Sequence, residues 1–94
     1  MALYLVRVEL AGADGDEYEQ LHEKMKGLGL KKTVMFDDRE NYKLPTGTYM
    51  GNSGDKAENF RAKVSALSDP LSLGNASVIV CEVEHWAAYL FKDR

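Results

Sequence analysis

Apolar and polar residues alternate along Tyr4–Leu10 (YLVRVEL), with Tyr4, Val6, Val8 and Leu10 on one side and Leu5, Arg7 and Glu9 on the other. A period of two predicts a half-buried strand. Ala11–Asp16 is turn-like, and Asp14 or Asp16 can cap the N–H groups of a following helix. From there the period becomes helical: Tyr18, Leu21, Met25 and Leu28 form one stripe. Glu17 and Glu19 near its start, and Lys24 and Lys26 near its end, suit the helix dipole. Gly27 and Gly29 end the helix.

Leu30–Phe36 predicts a second strand, imperfect because Lys32 falls on the side of Leu30, Val34 and Phe36. Asp37–Asn41 is a polar turn without glycine. Tyr42–Met50 predicts a third strand with a defect at Pro45, so either a bulge or a strand that begins properly at Thr46. Gly51–Gly54 breaks the chain, and Ala57, Phe60, Val64 and Leu67 then mark a second helix that Asp69-Pro70 stops. Ser77–Glu84 predicts the last strand, with Ile79, Cys81 and Val83 toward the core and Val78, Val80, Glu82 and Glu84 on the open side. An apolar tail, residues 85–94, follows.

The order β-α-β-β-α-β, with right-handed crossovers, predicts an α+β, ferredoxin-like βαββαβ plait: a four-stranded antiparallel sheet with two helices on one face. Ninety-four residues make one such domain, 1–94, tail included. The other sheet face would expose Leu5, Val78 and Val80, so either the tail or a second subunit covers it. A homodimer is the expected partner.

Composition is that of an ordinary globular chain. No apolar run is long enough to span a bilayer, and the N-terminal residues do not read as a signal peptide. No membrane partner is expected. Cys81 is the only cysteine, which excludes an intrachain disulfide and makes a reduced, cytoplasmic setting the simplest reading. It is expected to be buried and inert. Net charge is -3, but unevenly spread: residues 24–63 hold nine bases against five acids. That middle segment could face phosphates even though the whole chain is acidic.

Candidate chemistry is sparse. His22 borders the first helical stripe, and His85 follows the last strand. Both positions suit packing more readily than catalysis, and their separation gives no metal-ligand spacing. No metal and no cofactor is expected. Asp37, Asp38 and Glu40 read as solvent-facing turn carboxylates. Gly51-Asn52-Ser53-Gly54 joins a strand to a helix, not two helices, and so fits a phosphate-clamping loop poorly. Arg7, on an open sheet face, needs a partner: Glu9, Glu82 or Glu84, or else a phosphate. Lys31 and Lys32 extend a basic strip, and Arg39 and Lys43 border the same hairpin. Arg7, Lys31, Lys32 and Arg39 are therefore the expected nucleic-acid contacts.

YLVRVEL, YEQLHEKM, YKLPTGTY and SVIVCEVEHW together resemble the small bacterial proteins grouped with GhoS, over most of the chain. That family contains the type V antitoxin, an endoribonuclease acting on the messenger RNA of a membrane-lytic toxin. More distantly the plait resembles the Cas2-like nuclease subunit. There an aspartate ends the first strand, whereas Glu9 and Leu10 stand here. The resemblance implies an antitoxin-type protein acting on RNA, cytoplasmic and bacterial. If it cleaves without metal, His22 or His85 would serve as base, with Arg7, Lys32 and Arg39 as cations on the phosphate. The alternative is a non-catalytic homodimeric module binding protein or RNA through the open sheet face.

Overall fold

The computed structural model describes residues 1–93. The chain is α+β, with two helices and two three-stranded antiparallel sheets. In order come β1 (Ala2–Glu9), α1 (Gly15–Gly27), β2 (Thr33–Met35), β3 (Asn41–Lys43) and β4 (Thr48–Ser53). Then follow α2 (Ala57–Ser68), a short 3₁₀ turn (Asp69–Leu71), β5 (Ser77–Glu82) and β6 (Phe91–Lys92).

The main sheet has the order β4-β1-β5, with β1 central and antiparallel to both neighbours. Its alternation works as the sequence implies: Tyr4, Val6 and Val8 are buried, while Arg7 and Glu9 are exposed. Both helices pack on that buried side, where Leu21 and Met25 of α1 and Phe60 and Val64 of α2 complete one core. Asp14 caps α1, its carboxylate accepting from the N–H groups of Asp16 and Glu17. Tyr4 carries its ring to Phe60, 5.2 Å between centroids, and donates its hydroxyl to the Asp55 carbonyl at 2.6 Å. The buried ring thus keeps its polar end satisfied.

The expected four-stranded sheet is corrected to a three-stranded one plus a single bridge. Beyond β4, only Lys31 pairs, its N–H and C=O exchanging 2.9 Å bonds with Met50. The chain then leaves the main sheet, and β2 instead builds the second sheet in the order β2-β3-β6. Lys32 is where the alternation of this stretch breaks, and the chain departs there.

The expected third strand is likewise two strands. Pro45 interrupts it, and Gly47, at φ +80°, holds the third place of a turn closed by Thr48 N–H to the Pro45 carbonyl at 2.9 Å. Positive φ at that place favours glycine. A β-carbon there would also strike the Val8 carbonyl. β4 starts only at Thr48, after the turn.

The tail does not hang free. Phe91–Lys92 pairs with Tyr42 and Lys43 of β3, and Asp93 N–H donates to the Asn41 carbonyl at 2.9 Å. Trp86 approaches Phe36 (6.2 Å), which stacks on Tyr42 (4.4 Å). Leu3, Met50, Val34, Met35 and Trp86 line one cavity, so the second sheet and the tail close over one end of the helix-free face. Met50 is buried there.

β5 is turned the other way from the sequence reading. Its register sets Val80 opposite Val6 and Val78 opposite Val8, so Val78 and Val80 pack on the helical core. Ile79, 56% exposed, and Cys81, also exposed, lie on the open face. Cys81 is therefore not a buried core residue. Both sides of SVIVCEV are apolar, so alternation alone does not choose between them, and a one-residue shift exchanges them all.

Candidate functional site

α1 and the Pro45–Thr48 turn meet at one place. His22 sits on α1 beside the buried stripe, and Tyr49 follows the turn on β4. Their side chains join, with Tyr49 Oη 2.7 Å from His22 Nδ1. Tyr49 is 1% exposed, and its hydroxyl has no other partner among the described residues. A buried hydroxyl proton needs an acceptor, so we assign the hydroxyl as donor and Nδ1 as acceptor. The imidazole proton then lies on Nε2. Burial pushes the Tyr49 phenol up from its ordinary pKa, which keeps that donor in place. Burial also pushes the His22 pKa down; the Lys32 charge adds to this, and Glu19 and Glu23 oppose it. Burial and Lys32 thus disfavour the charged ring, and with Nδ1 accepting from Tyr49 the Nε2–H is the function left free.

Around His22 lies a cleft of about 340 Å³ lined by Lys32, Lys43, Thr46, Thr48 and Asp93 among others. Leu44 N–H donates to the Lys32 carbonyl at 2.9 Å, which draws the two lysine-bearing segments together. Neither lysine forms an ion pair among the described residues, where the one ion pair is Lys63–Asp55 at 2.7 Å. Thr48 Oγ1 is buried with no hydrogen-bond partner there. A second cavity, about 270 Å³, shares His22, Lys32 and Asp93 and adds Lys26, Lys31, Glu19 and Glu23.

The structure brings together only part of the expected set. His22, Lys31 and Lys32 gather at these two cavities. Arg7 does not join them. It opens on a different hollow of about 220 Å³ with Glu9, Ser77, Val78 and Ile79. It makes no ion pair with Glu9, Glu82 or Glu84 among the described residues. Arg39 is at the tip of the β2–β3 hairpin, with φ +64°. His85 is exposed in the bend after β5 and lines neither cavity. Among the described residues no group of three or more His, Cys, Asp or Glu side chains is placed closely enough to hold a metal ion.

Sequence reasoning did not single out Thr48, Tyr49 or Asp93 as site residues. Tyr49 carried a signal: an aromatic hydroxyl in a strand between helices must find a polar partner. Asp93 carried none, because its place depends on the tail pairing with β3.

No family model, curated protein or solved structure matches the chain. No helix among the described residues is long and apolar enough to cross a membrane.

Proposed function

We propose that this chain is a cytoplasmic, GhoS-like antitoxin-type protein that acts on RNA, and that it grips a backbone phosphate in the cleft beside His22. One observation carries the reading. Residues far apart in sequence, His22, Lys32 and Lys43, line one cleft together with a single carboxylate, Asp93, and neither lysine forms an ion pair among the described residues. Unpaired cations with an N–H donor are the chemistry that phosphate oxygens require. The resemblance in YLVRVEL, YEQLHEKM, YKLPTGTY and SVIVCEVEHW supports RNA as the target. The strand order supports a ferredoxin-like plait whose second strand is reduced to the Lys31–Met50 bridge.

If the chain cleaves RNA, His22 or His85 would be the base that activates the ribose hydroxyl. With Nδ1 accepting from Tyr49 and the proton on Nε2, His22 is set up as a hydrogen-bond donor. That favours a second reading, binding without turnover. This module would be homodimeric, because β5 pairs only with β1 among the described strands and exposes Ile79 beside its free edge.

One assay separates them. Purified protein is incubated with single-stranded and structured RNA, with and without EDTA, and binding is measured across salt concentrations. Cleavage that resists EDTA and disappears in His22→Ala supports the endoribonuclease. Salt-dependent binding without cleavage, weakened in a Lys32→Glu/Lys43→Glu variant, supports the binding module. No binding even at low salt rejects RNA as the target.

A further inference from the structure

Two aromatic rings are left over once the packing is accounted for. Phe36 stacks on Tyr42, and Trp86 approaches Phe36, so those rings cover one another. Tyr89 and Phe91, 87% and 74% exposed, meet only edge to face, with centroids 5.8 Å apart and an angle of 86°. At that angle the two rings do not stack, and ring faces stay open to solvent. Phe91 is nonetheless fixed in place. Pairing with β3 sets it opposite Lys43, and the bond from Asp93 N–H to the Asn41 carbonyl continues that ladder. Paired residues share a face of the sheet, with β-carbons about 4.5–5.5 Å apart, and Asp93, two positions on, returns to the same face. Lys43 and Asp93 both line the His22 cleft. We propose that Phe91, with Tyr89 beside it, is a stacking platform for an unpaired base of the RNA strand whose phosphate occupies the cleft, so that the site selects single-stranded RNA over duplex. The inference rests on the RNA reading above and deepens it.

Charge calls for a second kind of contact. Lys32 and Lys43 stand against Asp93 on the cleft lining, which leaves little surplus positive charge. Such a cleft neutralises few phosphates and gains little from counterion release. Stacking does not depend on charge, and every base has a face to offer, which is how single strands are held without sequence readout. The spacing agrees. Phe91 adjoins one lining residue across the ladder and another about 7 Å along it, close to the reach between a nucleotide's phosphate and its own base. In a duplex that base is stacked and paired, and its face is closed to a protein ring. A second copy of the chain fits these rings less well. Their neighbours on that face, Lys43, Asn41 and Asp93, are polar and exposed. Met35, the next apolar side chain of that face, stands two strands away and lines the cavities beside Trp86. Two rings offer about 300–500 Å², short of the roughly 600–1,000 Å² that each partner of a stable interface buries.

The test uses three probes: an oligoribonucleotide without self-complementarity, the same strand paired with its complement, and a base-free ribose-phosphate oligomer of equal length. Fluorescence anisotropy follows binding across salt concentrations. The single strand is expected to bind about tenfold tighter than either of the others. Phe91→Leu keeps an apolar residue at an exposed strand position, so the fold should persist, and amide spectra check that it does. This variant is expected to lose the margin with the slope of affinity against salt unchanged, and Phe91→Tyr should keep the margin. Lys43→Glu should instead weaken all three probes and flatten the slope. Equal binding of the three probes, or a margin that survives Phe91→Leu, overturns the stacking proposal and leaves phosphate binding in the cleft standing. No binding of any probe at low salt rejects the RNA reading and this inference with it. A dimer that Phe91→Leu dissociates, with the margin for single strands unchanged, assigns the rings to a second copy and also overturns the proposal.

Discussion

The Tyr49 hydroxyl, 2.7 Å from His22 Nδ1, ties the buried side of β4 to the rim of the cationic cleft. The contact determines which ring nitrogen of His22 is free. Protonating the ring would place a hydrogen on Nδ1 and leave the buried Tyr49 proton without its acceptor. Burial and Lys32 act in the same direction, holding the His22 pKa below its ordinary value. The unfolded chain, with a pKa of about 6.5, therefore binds a proton that the folded chain refuses. His22's contribution to stability is complete above about pH 6.5 and declines as pH falls from there to its folded pKa. Urea midpoints of the wild type and His22→Gln, compared between about pH 7.5 and pH 5, should show the steeper acid-side loss in the wild type. In Tyr49→Phe, an NMR titration should move the His22 pKa upward. An unchanged pKa would mean that the hydroxyl does not restrain the ring.

Gly51 permits the close approach of β4 to the end of α1. A β-carbon there would strike the Gly29 carbonyl and the Leu30 α-carbon, which are backbone atoms with little room to give. Gly51→Ala is expected to destabilise the fold by about 1–3 kcal/mol. It should also loosen the Lys31–Met50 bridge, the isolated backbone pairing between the stretch before β2 and the main sheet. Chemical denaturation reads the first effect, and amide exchange at Lys31 and Met50 reads the second.

What the sequence made legible divides along physical lines. Single-faced periodicities were read correctly: Tyr4, Val6 and Val8 on β1, Leu21 and Met25 on α1, and Phe60 and Val64 on α2 form the core. The Asp14 cap and the break at Pro45 were legible because each has a local cause. The sidedness of β5 was not, since valine and isoleucine occupy both faces and only pairing with β1 decides. The departure of β2 left one trace, the misplaced Lys32. The tail's return to β3 left none, because it is a long-range pairing of two residues. Of the candidate cleft, His22 and Lys32 were among the residues the sequence singled out, and the fold places both on its lining. The Tyr49 contact that sets the state of His22 spans 27 positions and has no local signature.

Arg39 stands at φ +64° in the β2–β3 turn, where Arg39 N–H donates to the Phe36 carbonyl at 2.9 Å. Asp38 supports the same turn, accepting from Glu40 N–H and from the Tyr42 hydroxyl. A left-handed conformation costs a side-chain-bearing residue roughly 1–2 kcal/mol, and glycine escapes most of it at some expense in unfolded-state entropy. Arg39→Gly should therefore raise stability by up to about 1 kcal/mol. Arg39 lies at a hairpin tip outside the cleft, so the same variant should leave RNA affinity within about twofold. A large loss of affinity would place the tip in the interface.

The reversed orientation of β5 gives the sharpest contrast within one strand. Val80 packs against the core, and its neighbour Ile79 is 56% exposed. Val80→Ala removes two methyl groups from the packed side and should cost about 1 kcal/mol or more. Ile79→Ala, on the open side, should fall within about 0.5 kcal/mol of wild type. Cys81 shares the open side and should react with a thiol reagent in the native protein, without denaturant, at a rate that unfolding does not raise by orders of magnitude. If Cys81 were protected and Ile79→Ala the costlier change, then either β5 is turned as its alternation first suggested or a second copy covers that side. Protection that vanishes on dilution identifies the second copy, and protection independent of concentration identifies the turned strand.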